Sequence, residues 1–127
     1  MTAMAAIPAP PMAWALLEAA LAQRRPVQLT YHGRQRLICP HALGWNNDGR
    51  PMLLAYQTGG QTSTGTLPAD PRHRWRCMFV DEVDHVDAAD PASPWATGDN
   101  YNPSRPFHAI DNVTIAITAD VQHPPVR

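Results

Sequence analysis

Fourteen prolines spread along 127 residues constrain the fold of this chain more than any other feature of its sequence. Each proline lacks a backbone N–H donor and breaks the interior of a helix, so a helical bundle is excluded. Short strands with long connections accommodate prolines better. Because 44% of the residues are apolar, the chain can build a packed core. Its length is that of one domain, which most often has about 100–150 residues.

The sequence also excludes a membrane protein and predicts a cytoplasmic location. No apolar run approaches the roughly 20 residues that span a bilayer. Residues 1–11 carry no positive charge before their apolar residues, so they do not form a secretory signal, and we predict a disordered arm there. Cys39 and Cys77 are too few for a disulfide scaffold, and we expect them to be reduced, small apolar residues inside the fold.

The net charge of −1 divides into two halves of opposite sign. The segment from Arg24 to Arg76 contains eight arginines, no lysine and two acids, which gives a net charge of +6. From Asp81 to Asp120, eight acids face one arginine, a balance of −7. This division is typical of a surface that binds anions or nucleic acid, and equally of two faces of one fold that pair with each other.

The local patterns predict one helix followed by short strands. Apolar residues at helical spacing and the terminating Pro26 predict a helix over Met12–Arg25. The apolar period then falls to two, and Asn47-Asp48-Gly49 predicts a hairpin turn. Pro40 is expected to interrupt or sharply bend its strand. The expected strands are Val27–Tyr31, Gln35–Cys39, His41–Trp45, Met52–Gln57, Arg74–Val80, Val83–Val86 and Val113–Ile117.

Two segments lack a regular period. Thr58–Pro71 is longer than ordinary loops and is predicted to be either a functional flap or disordered. Beyond Asp87 the chain is rich in proline, and Trp95, Tyr101 and Phe107 are spaced as if to hold an extended strap on the sheet. We therefore predict a mainly β (α+β) fold: a small barrel of five to six short antiparallel strands capped by the N-terminal helix, with an irregular C-terminal strap.

Between Arg24 and Asp87, several elements follow one another in a recognisable order. The first element is a run of alternating apolar residues that ends in an aromatic residue and a turn. An arginine follows, and after it come a Pro-His dipeptide and a Leu-Gly dipeptide. The last elements are an apolar strand and a segment that ends in an acidic turn. These elements are Val27, Leu29, Tyr31 and Gly33; Arg36, Pro40 and His41; Leu43-Gly44; Met52-Leu53-Leu54-Ala55-Tyr56; and Met78-Phe79-Val80-Asp81-Glu82-Val83. The series resembles the WYL domain family, whose fold is a small SH3-like or Sm-like barrel. Met52-Leu53 stand where the family has Trp-Tyr, and Phe79 stands where it has an arginine.

The resemblance implies a ligand-sensing module of the kind found in bacterial transcription regulators, here without their DNA-binding domain. It implies a nucleotide or single-stranded nucleic acid as ligand and a regulatory protein as partner. The single domain would cover residues 12–118, with its core at 24–87 and the strap and last strand at 88–118. Residues 119–127 would form a loose tail.

Arginine side chains supply the candidate binding site. Arg34 and Arg36 alternate on one predicted strand and Arg74 and Arg76 on another, so each pair projects to one face. Guanidinium groups bind phosphate in a bidentate manner and stack on bases. With two aromatic residues expected at the rim, the predicted ligand-binding residues are Arg34, Arg36, His41, Tyr56, Arg74 and Arg76.

Other functions are less well supported by the sequence. No nucleophile, phosphate-loop or dinucleotide motif is present, so we predict no enzyme and no cofactor. The scattered histidines lack metal-ligand spacing, so no metal is predicted, although Cys39, His41 and Cys77 are the residues that would form a site. The alternatives left open are an arginine face that pairs with the acids of Asp81–Asp90, and a protein–protein adaptor or homo-oligomer without a small ligand.

Overall fold

The computed structural model describes residues 11–102 and 110–117, where it has one α-helix and six β-strands. This confirms the predicted mainly β class with a helix at the start. The predicted arm before Pro11, the tail and Phe107 lie outside the described residues. The elements are α1 (Met12–Gln23), β1 (Val27–Tyr31), β2 (Arg34–Trp45), β3 (Pro51–Gly60), β4 (Trp75–Phe79), β5 (Val83–Ala88) and β6 (Asn112–Ala116).

The strands form one antiparallel sheet in the order β4-β3-β2-β1-β5, and β6 pairs with the second half of β2. Among the described residues, the end strands β4 and β5 are not hydrogen-bonded to each other. The sheet is therefore open, and the expected closed barrel is not present there. The sheet is nevertheless strongly curled, as a contact between strands that are not neighbours shows. The Tyr31 hydroxyl on β1 accepts a hydrogen bond (3.1 Å) from the Phe79 N–H on β4.

Of the two predicted effects of Pro40, interruption or a sharp bend, interruption is wrong: Pro40 lies inside the continuous strand β2. On one side of β2, pairing with β1 ends at Ile38 and pairing with β6 begins at Ala42. On the other side, the register with β3 shifts just after Pro40. The missing N–H thus falls where β2 exchanges one partner for another, which is how a central strand tolerates a proline.

The two faces of the sheet carry different cores. The inner face, which we define as the one that α1 covers, carries the larger core, and its members include Leu17, Leu29 and Leu53. The outer face carries a smaller cluster around Leu54 and Met52. Because side chains alternate along a strand, β3 contributes to both faces, which explains its continuous apolar run.

The helix ends two residues earlier than predicted. Arg24 adopts a left-handed conformation (φ 52°), and its N–H and that of Arg25 return to carbonyls of the last turn. Trp14 stacks on Trp45 at 5.2 Å and so fixes the helix on the sheet. No helix in the described part of the chain combines the length and apolarity needed to cross a membrane.

The expected long loop is shorter, because β3 continues to Gly60. Gly60 has a φ of +84°, and a Cβ there would meet the Gln35 carbonyl oxygen at 2.4 Å, so only glycine fits. The following residues hydrogen-bond to one another and to β2: the Gln61 N–H donates to the Gln35 carbonyl, and the Thr62 hydroxyl to the Thr66 carbonyl. The segment therefore has a defined shape against the end of β2.

Candidate functional site

Three of the predicted arginines lie together at one end of the inner face. Arg36 is opposite Leu29 across β1 and β2, and Arg76 is opposite Ala55 across β3 and β4. Both apolar partners belong to the inner core. Because directly paired residues of an antiparallel sheet share a face, these arginines point inward, and Arg34, two residues before Arg36, does the same. We call Arg34, Arg36 and Arg76 the arginine trio.

Arg36 is the most buried member of the trio, with 5% of its surface exposed. Its guanidinium lies over the Tyr31 ring at 5.4 Å and donates one weak hydrogen bond of 3.4 Å to the Tyr31 carbonyl. Its Nε is buried and has no hydrogen-bond partner among the described residues. Buried guanidinium donors are normally paired, so this unsatisfied atom is unusual.

Arg76 is oriented by the chain around it. Its Nε donates to the Gln57 side-chain oxygen at 3.2 Å, and its Nη1 donates to the carbonyls of His73 and Trp75. Gln57 is fully buried and is itself fixed, because its amide nitrogen donates to the Gly59 and Gln61 carbonyls at 2.9 Å. The Arg76 side chain is therefore held in one direction without the help of an acid.

The trio is electrostatically unbalanced. Burial lowers the pKa of Arg36, and the positive charges of Arg76 and Arg34 lower it further. Burial also lowers the pKa of Arg76. Among residues 11–102 and 110–117, none of the three forms a salt bridge. Like charges held close together without a counter-ion favour the binding of an anion.

The acidic half of the chain does not neutralise the trio. Asp81 and Glu82 instead pair with Arg50, at 2.7 and 2.8 Å. Arg50 also lies over the Phe79 ring at 3.6 Å. The alternative interpretation expected arginines to pair with acids of Asp81–Asp90. The arginine that does so is Arg50, which is not one of the predicted site residues.

Arg74, the fourth predicted arginine, lies apart from the trio. Because it precedes the first residue of β4, strand alternation does not fix its direction. Its Nε donates to the Pro68 carbonyl at 2.7 Å, and its Nη2 to the Ala69 carbonyl at 3.4 Å. Its visible role is to hold the loop before β4.

His41 and Tyr56 also lie away from the trio, in a cluster of rings that extends from the outer face, where Trp75 packs, to Trp95, which packs against the inner core. We call this group the aromatic cluster. Its rings contact one another at centroid distances of 4.8–5.3 Å, either stacked or edge to face. Its members are His41, Tyr56, Trp75, Trp95 and Tyr101. Trp95 and Tyr101 hold the strap to the sheet, as the sequence predicted.

Polar atoms of the aromatic cluster are largely satisfied within the chain. The His41 ring nitrogens contact the Cys39 carbonyl and the Thr97 hydroxyl at 2.8 and 2.9 Å. The Tyr56 hydroxyl donates to the Pro71 carbonyl, and the Tyr101 hydroxyl to the Ile117 carbonyl. His41 is completely buried, and burial lowers its pKa from 6.5 to about 4, so it is neutral at pH 7. The cluster is built as a core.

The cysteines are consistent with interior residues rather than reactive ones. Cys39 is buried, Cys77 is half-buried, and neither forms a disulfide. Burial raises the pKa of each thiol to about 11, which disfavours the reactive thiolate. In the described ranges, no group of three or more His, Cys, Asp or Glu residues is placed to hold a metal ion.

Sequence reasoning missed two residues of the site. Gln57 orients Arg76, and Tyr31 carries the guanidinium of Arg36 on its ring. Gln57 gave a signal, since it is the polar residue that ends the otherwise apolar predicted strand Met52–Gln57. Tyr31 gave none, because an aromatic residue that ends a strand is ordinary core material.

Searches against protein-family models, curated proteins and solved structures found no match to this chain.

Proposed function

We propose that this chain is a regulatory binding module that takes a phosphate-bearing ligand, a nucleotide or a short single-stranded nucleic acid, on its arginine trio. The observation that carries the proposal is Arg36. Its side chain is 5% exposed, its Nε lacks a partner among the described residues, and it lies close to two further cations. An anion would satisfy the orphaned donor and compensate the repulsion at once.

Phosphate fits this arrangement better than a carboxylate does. Three guanidinium groups offer more donors than two carboxylate oxygens can accept, whereas a phosphate presents several acceptor oxygens. Arginine also stacks on bases, which lysine does not do. The ligand class is therefore a nucleotide or the phosphate backbone of a short strand.

The fold supports the same proposal. The curl of the sheet, which brings Tyr31 of β1 to Phe79 of β4, supports an SH3-like, WYL-like arrangement. Gln57 connects Arg76 with the carbonyls of Gly59 and Gln61. A ligand that engages Arg76 would thus act on the segment after β3 and present a changed surface to a partner regulatory protein.

Fluorescence anisotropy with a labelled short single-stranded oligonucleotide tests the proposal. Three phosphate contacts to a single strand predict a slope of log K against log salt of about −2. Arg36→Met and Arg76→Met should each weaken binding by about 10-fold or more, since a lost charged hydrogen bond is worth about 1.5–3 kcal/mol. Arg72→Met is the matched control, because Arg72 is exposed and pairs locally with Asp70 at 3.3 Å. Salt-independent binding, or equal losses in all three variants, would refute the proposal.

The rival function is a protein–protein adaptor or oligomer. In its favour, β4 and β5 end the sheet, each with one edge unpaired among the described residues. Against it, β5 carries the exposed acids Asp84 and Asp87, which disfavour edge-to-edge pairing. Light scattering discriminates the two: a multimer that dissociates at high salt supports the adaptor, and a salt-indifferent size supports the ligand-binding module.

A further inference from the structure

A cavity lies away from the arginine trio, between α1, β5 and the segment that follows β5. This groove has a volume of about 590 Å³, and none of the trio residues lines it. Small-molecule sites typically measure roughly 300–1,000 Å³. The lining is mostly apolar and includes Leu16, Ala20, Val27 and Val86.

Two buried hydrogen-bond donors belong to this groove and lack an acceptor. In the described part of the chain, three buried side-chain atoms have no hydrogen-bond partner: Nε of Arg36, Nε of Arg24 and Nε1 of Trp95. The first belongs to the trio. Arg24 and Trp95 both line the groove. A buried N–H without a partner is unfavourable by about 1–3 kcal/mol, so two in residues that line one groove point to a missing acceptor.

Both donors are held in place by the fold. Arg24 is fixed by the left-handed turn that ends α1, and its own backbone N–H is bonded within the helix. The Trp95 ring is stacked on His41 at 5.0 Å. The Arg24 backbone and the Trp95 ring are thus both held beside the groove.

The charges around the groove limit what the acceptor can be. Arg24 and Arg25 lie at the helix end, while Asp87 and Asp90 lie on the opposite side, so the positive and negative charges balance. A polyanion gains nothing from this balance. A single carboxylate gains hydrogen bonds from Arg24 and Trp95, and an apolar remainder of the same molecule can fill the rest of the groove.

We propose that the groove between α1 and β5 binds an amphipathic carboxylate, a molecule with an apolar body and one carboxylate that accepts hydrogen bonds from Arg24 and Trp95. The site is independent of the arginine trio and differs from it in ligand chemistry. The trio brings three cations together, whereas the groove has a mostly apolar lining with one pair of donors.

Titration of the whole chain with decanoate, followed by ¹H–¹⁵N spectra of the indole groups, tests this site. The chain has four tryptophans, and Trp95→Phe identifies the signal of Trp95. The Trp95 indole signal should shift as decanoate binds, because its N–H gains an acceptor. Decanol, which lacks the charge, and acetate, which lacks the apolar body, should bind at least about 10-fold more weakly, by the loss of a charged hydrogen bond or of apolar burial.

Variants separate the two donors from general effects. Trp95→Phe keeps the stacked ring and removes only the N–H, and Arg24→Gln removes the charge; each should weaken decanoate binding by about 10-fold. Arg25→Gln, an exposed neighbour on the same groove, is the control and should change it less than twofold. The spectra themselves show whether each variant is folded, and Arg24→Gln carries the test if Trp95→Phe is not. Equal binding of decanol and decanoate, an unchanged Trp95 signal, or competition by an oligonucleotide would overturn the proposal.

Discussion

The two faces of the sheet treat polar groups in opposite ways. On the outer face, the aromatic cluster buries His41 and Tyr56 and gives their polar atoms partners within the chain. On the inner face, the trio brings together cations without an acid and leaves the Nε of Arg36 unpaired among the described residues. Strands β2 and β4 each contribute residues to both groups, so the difference does not come from separate strands.

The comparison separates a structural role from a binding role. A polar side chain whose hydrogen bonds are complete contributes to stability and has nothing left to offer a ligand. A buried cation without a partner lowers stability and persists where something outside the chain compensates it. We therefore expect substitutions of His41, Tyr56 and Trp75, whose polar atoms are paired within the chain, to change folding, and substitutions in the trio to change binding.

The largest effect is expected from Trp75→Ala. Trp75 contacts His41, Tyr56 and Tyr101, so its removal should lower the free energy of unfolding by about 3–5 kcal/mol, measured by urea denaturation. Oligonucleotide affinity of the folded fraction should stay within about twofold, because the ring is on the opposite face from the trio. If a folded Trp75→Ala protein bound the oligonucleotide about tenfold more weakly, the separation of a structural role from a binding role would be wrong.

The next effect is a loss of stability in acid that originates in His41. Its pKa is about 4 in the folded chain and 6.5 in an ordinary environment, so the unfolded chain binds a proton more readily. Stability is complete above pH 6.5 and falls as the pH is lowered towards 4, by about 3 kcal/mol in total. Urea titrations across this range should show the loss in the wild type and not in His41→Gln.

The exposed His73 provides the control for that measurement. His73→Gln should retain the full dependence on pH. If His73→Gln abolished it and His41→Gln did not, the aromatic cluster would not be the source.

Arg36→Met should give a smaller effect of opposite sign. Methionine keeps the apolar volume of the side chain and removes a buried charge that has two cationic neighbours. The free energy of unfolding without ligand should therefore stay equal or rise by about 1 kcal/mol. A loss of more than 1 kcal/mol would mean that the guanidinium stabilises the fold, and the trio would then resemble the aromatic cluster.

The smallest effect is expected from Arg74→Ala. Arg74 donates to the Pro68 and Ala69 carbonyls, so its removal should lower stability by about 0.5–1 kcal/mol. Oligonucleotide affinity should change by less than twofold, in contrast to Arg76→Met. If the two variants lost the same amount of oligonucleotide affinity, Arg74 would belong to the binding site.

The sequence predicted the mainly β class, and three of its six candidate site residues lie together in the structure, for identifiable reasons. Strand alternation is a local property, so it correctly paired Arg34 with Arg36, and aromatic spacing correctly attached Trp95 and Tyr101 to the sheet. The position of His41 depends on which face a strand presents after the register shift near Pro40, and no local pattern encodes that shift. Arg74 lies outside β4, because the strand begins one residue later than the pattern indicates.

The most direct test of the central claim is urea denaturation of the wild type and Arg36→Met, each with and without the oligonucleotide. At a ligand concentration 100 times the wild-type dissociation constant, linkage predicts that the wild type gains about 2.7 kcal/mol. Arg36→Met should start as stable as the wild type or more so and gain far less, so that the ligand makes the wild type the more stable protein. An equal gain in both proteins, or no gain in the wild type, would contradict the assignment of the arginine trio as the binding site.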